Sequence, residues 1–211
     1  MAQGIVSFVI DDGLVTDFTI TKPVFDAHGA VAVSAVITRR RELDDHQLHA
    51  MASAGWEIAS HGRTHADETT LDESDLEDEI GGSRRDLEAI GLSVTTHVYP
   101  YGAHDDLVER VTQEHFAAGV TADGGMNRSP LVSRYALRRA NFGATYARRG
   151  TNTLSYYSSL VDKAKAEAGW LIYMLHELKE VDVVLLRSLL AYIQQASVPI
   201  VTVRDGFRLY T

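Results

Sequence analysis

The chain's first apolar run ends in Val9-Ile10-Asp11-Asp12-Gly13-Leu14. This stretch is the strongest indication of the fold. From Ile5 to Ile10 the run has the length and β-branched content of a buried parallel strand. Parallel α/β folds bind ligands at the carboxyl ends of their strands, so Asp11 and Asp12 are placed for chemistry. The plainer alternative is that one carboxylate caps the following turn and the other is solvated.

The rest of the chain alternates between short apolar, β-branched runs and segments with helical periodicity. We predict further strands at residues 30–37, 56–59, 94–99, 120–122, 135–142, 170–175 and 198–203. Predicted helices lie between most of these strands, the longest over residues 71–90. This alternation favours a parallel α/β fold that is closed or nearly closed into a barrel.

Length and composition favour a single domain over residues 1–211, because a chain of this size with 45% apolar content can bury one large core. No apolar run reaches the roughly 18 residues that a membrane span needs. The amino terminus lacks a basic region followed by an apolar stretch and a cleavage site. We therefore expect a soluble protein without a signal peptide, either cytoplasmic or part of an extracellular assembly exported without a cleaved signal. The sequence leaves open whether the protein forms an oligomer or joins a larger particle.

Charge and cysteine content limit which partners the protein can bind and which residues can ligate a metal. The net charge of −9 argues against binding to nucleic acid or to an anionic membrane surface, because both attract basic surfaces. The lack of a long apolar run argues against membrane insertion. The chain has no cysteine, which excludes disulfides, thiol nucleophiles and Cys-ligated zinc. Any bound metal must therefore be held by His, Asp or Glu.

Polar residues follow several of the predicted strands, whose carboxyl ends converge on one rim of a barrel. These residues are Asp11 and Asp12, His61 and His65, Tyr101, Arg139, and His176. Taken alone, each histidine is more simply explained as a half-buried, hydrogen-bonded side chain without a function. Their coincidence at one rim favours a functional site instead.

Asp12, His61 and His65 together offer one carboxylate and two imidazoles, which would leave a coordination position of a divalent metal open for water. Zinc suits this set best, with cobalt or manganese as alternatives. The neighbouring Asp11 would be free to take a proton from that water, and His176 would protonate the leaving group. This division of labour predicts a hydrolase.

Four ordered motifs resemble those of the polysaccharide deacetylase family, also called carbohydrate esterase family 4 or the NodB-homology domain. They are Phe8-Val9-Ile10-Asp11-Asp12-Gly13, His61-Gly62-Arg63-Thr64-His65, Tyr99-Pro100-Tyr101-Gly102 and Met174-Leu175-His176. The resemblance implies a distorted, incomplete (β/α) barrel with about seven parallel strands. It also implies metal-dependent removal of acetyl groups from an acetylated glycan, with N-acetyl favoured over O-acetyl groups.

The resemblance assigns a role to each residue of the site: the catalytic base is Asp11, the metal ligands are Asp12, His61 and His65, and the catalytic acid is His176. The backbone N–H of Tyr101 would help to stabilise the oxyanion. Met174 stands where a leucine usually lines the pocket for the acetyl methyl group, and this exchange preserves volume.

The sequence departs from the family pattern at three further points. Gly62 follows the first ligand histidine, where the family usually has a Ser or Thr whose hydroxyl braces the loop. Val98 replaces an arginine that commonly precedes the third motif, and an Asp-Trp motif later in the chain is not evident. Members with a Tyr-Pro-Tyr-Gly motif often carry an arginine in a later strand instead. We expect Arg139, with Arg138 as the next candidate, to fill this role and orient Asp11 by charge-assisted hydrogen bonds.

Two other functions fit the same residues. One is a metal-dependent amidase acting on a small non-sugar substrate, because the same groups would cleave any amide that fits the site. The other is a non-catalytic carbohydrate-binding or structural subunit that retains the fold. An open cleft with exposed aromatic side chains would favour a glycan, and the candidate residues are Trp56, Tyr101, Tyr135 and Tyr146.

Overall fold

The structure, a computed structural model, describes residues 3–146 and 150–210. Seven parallel strands form a closed barrel within these residues: β1 Ile5–Ile10, β2 Val33–Val36, β3 Glu57–Ser60, β4 Thr96–Val98, β5 Ala118–Gly124, β6 Leu137–Asn141 and β7 Trp170–Leu175. Each strand pairs with the next in the sequence, and β1 closes the ring by pairing with β7 along its whole length. The predicted barrel of seven parallel strands is confirmed.

Strand β1 illustrates how both sides of the barrel wall are filled. All six of its residues are buried, and alternate side chains point to opposite faces. Ile5 and Val9 belong to the cluster that fills the barrel, whereas Phe8 and Ile10 belong to the larger cluster under the surrounding helices. Burial on both faces explains why this strand reads as a continuous apolar run instead of an alternating one.

Helices follow the strands on the outside of the barrel: α1 Lys22–Asp26, α2 Asp45–Ser53, α3 Glu73–Leu76, α4 Gly82–Ala89, α5 Asp106–His115, α6 Leu154–Ala166, α7 Glu180–Gln195 and α8 Val203–Tyr210. A π-helical turn at Glu77–Gly81 joins α3 to α4, so the helix predicted over residues 71–90 is continuous in direction but irregular in its middle. Among the described helices, none combines the length and apolar character needed to cross a membrane.

The strand predicted over residues 198–203 is wrong. Ile200 forms only an isolated bridge with Val6, and helix α8 follows directly. Strand β2 pairs with β1 only along the carboxyl half of β1, at Val9 and Ile10, so the backbone around Val6 is free to accept this brief pairing. The extended segment then ends because the buried carboxylate of Glu57 accepts the backbone N–H of Arg204 at 2.7 Å and fixes the start of α8.

Candidate active site

The site residues predicted from the sequence line one cleft of about 380 Å³ at the carboxyl ends of the barrel strands. They are Asp11, Asp12, His61, His65, Tyr101, Arg139, Met174 and His176. We call the side formed by Asp12, His61 and His65 the ligand wall, and the side formed by Tyr146, Met174 and His176 the acid wall. Asp11 and Arg139 lie between them.

Asp12 reaches the cleft because the chain turns sharply after β1. Asp12 and Gly13 both adopt left-handed backbone conformations, with φ values of 84° and 68°. A Cβ atom on Gly13 would lie only 3.0 Å from the Cα atom of Val36, so a larger residue does not fit this turn. The Asp12 Oδ1 atom lies 3.9 Å from His61 Nε2 and 3.7 Å from His65 Nε2.

His61 is held in the form that a metal ligand needs. Its ring is buried, and Nδ1–H donates to the carbonyl of Val98 at 2.6 Å, which leaves the Nε2 lone pair facing the cleft. Burial lowers the pKa of His61 to about 4, although the nearby Asp11 carboxylate opposes this shift. The imidazole is therefore neutral at neutral pH, as coordination requires.

The second histidine of the ligand wall comes from a loop. His65 has a φ of 67°, and its ring packs edge-on against His61, with centroids 4.8 Å apart, and against Tyr101, at 4.5 Å. One donor atom from each of Asp12, His61 and His65 lies within 4.8 Å of the others. Tetrahedral zinc sites place ligand atoms roughly 3.3–3.6 Å apart, close to the two measured separations from Asp12. The ligand wall thus fits a divalent metal in both chemistry and spacing.

Asp11 is paired with Arg139 deep in the cleft. Arg139 Nη1 donates to both Asp11 oxygens, at 2.7 and 2.9 Å, and Nε donates to the carbonyl of Thr121 at 2.6 Å. Burial alone would raise the pKa of Asp11, but Arg139, with help from His61 and His176, outweighs burial and holds that pKa below its ordinary value. Asp11 is therefore ionised at neutral pH.

Strand geometry explains why Arg139 and not its neighbour occupies this position. Arg139 lies on β6 and is only 1% exposed, whereas the adjacent Arg138 is exposed on the outer face. Val98 lies on β4 and is completely buried in the apolar cluster inside the barrel, where it supplies no charge. The cation beside Asp11 is thus provided by β6.

His176 faces Asp11 from the acid wall. Its Nε2 atom lies 3.9 Å from Asp11 Oδ2, and its ring stacks on Tyr146 with centroids 4.1 Å apart. Its Nδ1 atom is buried and has no hydrogen-bond partner within residues 3–146 and 150–210. Met174 precedes His176 by two residues near the end of β7 and is nearly buried against the same cleft.

Two of the four candidate aromatic residues lie at the cleft. Tyr101 is 67% exposed and has a left-handed φ of 60°, and Tyr146 is 44% exposed. Trp56 is buried and packs edge-on against Phe25 at 5.3 Å, so it is excluded as an exposed sugar platform. Tyr135 does not line the cleft, and its hydroxyl donates to the carbonyl of Phe116 at 3.3 Å.

Comparison with a family model agrees with the geometry of the cleft. The family model described as "Polysaccharide deacetylase" matches residues 1–120, more than half of the chain. The protein belongs to the polysaccharide deacetylase family. The matched region includes the ligand wall, Asp11 and Tyr101, whereas Arg139 and the acid wall lie beyond it.

Solved structures similar to this chain share its fold at low sequence identity. The Xyl-CE4 domain of a multidomain xylanase from the hindgut metagenome of Trinervitermes trinervoides has a TM-score of 0.70 and 15% identity, over 98% of this chain and 90% of that one. A family 4 carbohydrate esterase from Streptomyces lividans in complex with acetate has a TM-score of 0.67 and 14% identity, over 95% and 93%. A CE4 family pseudoenzyme from Bacillus anthracis has a TM-score of 0.71 and 14% identity, over 96% and 65%. A search of curated protein sequences gave no match.

Proposed function

We propose that this protein is a metal-dependent hydrolase that removes acetyl groups, N-acetyl in preference to O-acetyl, from a polysaccharide or oligosaccharide. The proposal goes beyond family membership and rests on one observation. A His, His, Asp donor set, an ionised carboxylate held by a buried arginine, and a third histidine facing that carboxylate all line one open cleft.

Asp12, His61 and His65 would hold the metal, and zinc is the ion that suits this set best. When bound there, the ion would act as a Lewis acid and lower the pKa of a water molecule. The neutral His61 ring presents Nε2 to this position without first losing a proton.

Asp11 would be the general base that accepts a proton from the attacking water. Its two oxygens are held by Arg139, which is itself fixed by the Thr121 carbonyl. A guanidinium suits this task because it stays charged, keeps the carboxylate ionised and does not compete as a metal ligand. Arg139 therefore orients the base without taking part in proton transfer.

His176 would be the general acid, since it lines the same cleft and its Nε2 atom lies 3.9 Å from Asp11 Oδ2. Attack of water on the acetyl carbon forms a C–O bond, and the C–N bond then breaks as His176 gives a proton to the sugar nitrogen. The backbone N–H of Tyr101 would stabilise the oxyanion that develops on the acetyl oxygen. Met174 would face the acetyl methyl group, and the products are acetate and a free amino sugar.

The surface of the cleft favours a glycan over a small amide. Tyr101 packs against His65 of the ligand wall, Tyr146 packs against His176 of the acid wall, and both tyrosines are exposed at an open cleft. Aromatic faces with a polar edge suit sugar rings. The similarity to a pseudoenzyme concerns the fold alone. A purely binding subunit would not need the paired base and the facing histidine that this chain keeps.

Acetate release from acetylated chitooligosaccharides, measured together with metal content, tests the proposal. We expect about one divalent ion per chain, loss of activity on chelation, and recovery with Zn²⁺, Co²⁺ or Mn²⁺. Metal-loaded protein that binds the oligosaccharide without releasing acetate would favour the non-catalytic alternative. Hydrolysis of small non-sugar acetamides, with oligosaccharides left intact, would favour the amidase.

A further inference from the structure

The loop that carries both ligand histidines, residues 61–66, has an unusual backbone, and we call it the ligand loop. Gly62 has a φ of 74° and His65 a φ of 67°. A left-handed conformation is ordinary for glycine but uncommon for histidine, and it persists only where the surroundings enforce it. Something outside the loop must therefore hold His65 in place.

Glu79 holds the backbone of the ligand loop by hydrogen bonds. Its Oε1 atom accepts the backbone N–H of Thr64 at 2.7 Å and that of His65 at 3.1 Å, and its Oε2 atom accepts the Thr64 hydroxyl at 3.0 Å. The side chain is only 5% exposed. A buried carboxylate that accepts two successive backbone N–H groups fixes the direction of the peptide planes around them, and hydrogen bonds to a charged acceptor are the stronger kind.

We propose that Glu79 is a positioning residue for the metal site, which keeps the ligand loop in the conformation that directs His65 Nε2 toward Asp12. This inference rests on the ligand set proposed above. Glu79 thereby supplies, from a helix, the brace that Gly62 cannot supply from within the loop.

Gly62 and Glu79 depend on each other. A Cβ atom built on Gly62 would lie 2.7 Å from Glu79 Oε1, closer than real side chains approach. Any larger residue at position 62 would therefore displace the carboxylate that holds the loop. The absence of a side chain at position 62 is what makes room for the brace.

The local structure of the helix explains how Glu79 reaches the loop. Glu79 lies in the middle of the π-helical turn Glu77–Gly81, and such turns are frequent at functional sites. The two acids before it are more exposed: Glu77 pairs with Arg85 at 3.0 Å, and Asp78 contacts the ligand loop through the side chain of Arg63, at 2.5 Å. Of these three consecutive acids, only Glu79 is buried against the ligand loop.

The test compares Glu79→Gln with Glu57→Gln. Glu57 is a matched control because it is also buried and also accepts hydrogen bonds from a side-chain hydroxyl, of Thr96 at 2.6 Å, and from the backbone, the N–H of Arg204 at 2.7 Å. It lies at the amino end of β3, away from the cleft, whereas His61 follows the carboxyl end. Both substitutions replace one acceptor oxygen by a donor, so both should lower the melting temperature.

The measurements are the zinc dissociation constant, by chelator competition, and the visible spectrum of the Co²⁺-substituted protein. We expect Glu79→Gln to weaken zinc binding by about 10- to 100-fold, as is typical for groups that orient ligands, and to change the Co²⁺ spectrum. Glu57→Gln should leave both unchanged. Unchanged zinc affinity and spectrum in Glu79→Gln, or equal losses in both variants, would overturn the proposal.

A double-variant cycle and hydrogen exchange complete the experiment. Gly62→Ala should weaken zinc binding as Glu79→Gln does. The double variant should lose less than the product of the two single losses, because both substitutions disrupt the same contact.

In metal-free protein, Glu79→Gln should speed amide exchange at Thr64 and His65, and unchanged exchange would refute the role of Glu79 in holding the loop. If the unaltered protein binds no metal, the proposed function fails, while this exchange still shows whether Glu79 holds the loop.

Discussion

The two walls of the cleft differ in how their histidines are fixed. On the ligand wall, His61 is buried and donates from Nδ1 to a backbone carbonyl at 2.6 Å. On the acid wall, His176 has no hydrogen bond at its buried Nδ1 atom from any residue that the structure describes, and its ring stacks on that of Tyr146. One histidine is held by a directional bond and the other by a ring face.

The difference in how the two histidines are held matches the different roles proposed for them, metal ligand and general acid. A metal ligand must keep one tautomer and one orientation, which a short bond to a fixed carbonyl enforces. A general acid gives up and regains a proton in every turnover. A stacking contact restrains the ring in either protonation state. Variants on the two walls should therefore separate metal content from turnover, and the predictions below are ordered by the size of the expected effect.

The adjacent carboxylates of Asp11 and Asp12 should give the largest and clearest separation. Asp11→Asn should reduce acetate release by about 10²–10⁴-fold, the usual contribution of a general base, while metal content stays nearly unchanged. Asp12→Asn or His61→Ala should lose metal as well as activity, because each removes a ligand. Equal metal loss in Asp11→Asn and Asp12→Asn would contradict the division of roles.

Arg139 lies between the walls and should matter for both stability and activity. Arg139→Ala should lower the free energy of unfolding by about 3–5 kcal/mol, because Asp11 would remain buried without its partner. Arg139→Lys keeps the charge but not the fork that reaches both Asp11 and Thr121, so acetate release should still fall. Arg138→Ala is the matched control, since that side chain lies on the outer face. A larger loss at Arg138, or no loss at either position, would refute the role of Arg139.

Tyr146 tests whether stacking is what holds the acid. Tyr146→Ala should lower the turnover number by roughly two- to twelvefold, the equivalent of an aromatic contact, while zinc affinity stays the same. Tyr146→Phe retains the ring face and should behave like the unaltered protein. If Tyr146→Phe loses as much as Tyr146→Ala, the phenol hydroxyl acts instead of the ring.

Much of the site could be predicted because local patterns fix it. Strands β1, β3 and β7 are followed directly by Asp11, His61 and His176, and a parallel barrel brings such strand ends to one rim. The alternation of side chains along a strand was enough to place one of Arg138 and Arg139 inside. The roles of these residues in catalysis remain predictions until the variants are assayed.

Other features depend on contacts that local patterns do not encode. Residues 198–203 are as β-branched as a strand, but only the pairing available around Val6 decides their conformation. Glu79 lies in an acidic stretch that looks solvated from the sequence, and its burial depends on the π-helical turn at Glu77–Gly81. The sequence contains one signal of this contact. Gly62 has no side chain that could hold the loop, so the loop needs a hydrogen-bond partner from another part of the chain.

Met174 should give the smallest effect and tests the acid wall at its apolar end. It lies near the end of β7, two residues before His176, and is only 6% exposed in the cleft. Met174→Leu preserves volume, so we expect acetate release to change by only a few-fold. Met174→Ala removes most of the side chain and should enlarge the pocket for the acyl methyl group.

The informative measurement is the ratio of activities on N-acetyl and N-propionyl oligosaccharides. One methylene in an apolar pocket is worth about 1–3 kcal/mol, so the unaltered protein should prefer acetyl by about tenfold or more. Met174→Leu should keep that preference, because the wall of the pocket stays in place. Met174→Ala should reduce it, since the extra methylene gains room while acetyl loses its contact. A preference unchanged in Met174→Ala would mean that the acyl group does not lie against β7, and that the acid wall contributes His176 and Tyr146 alone.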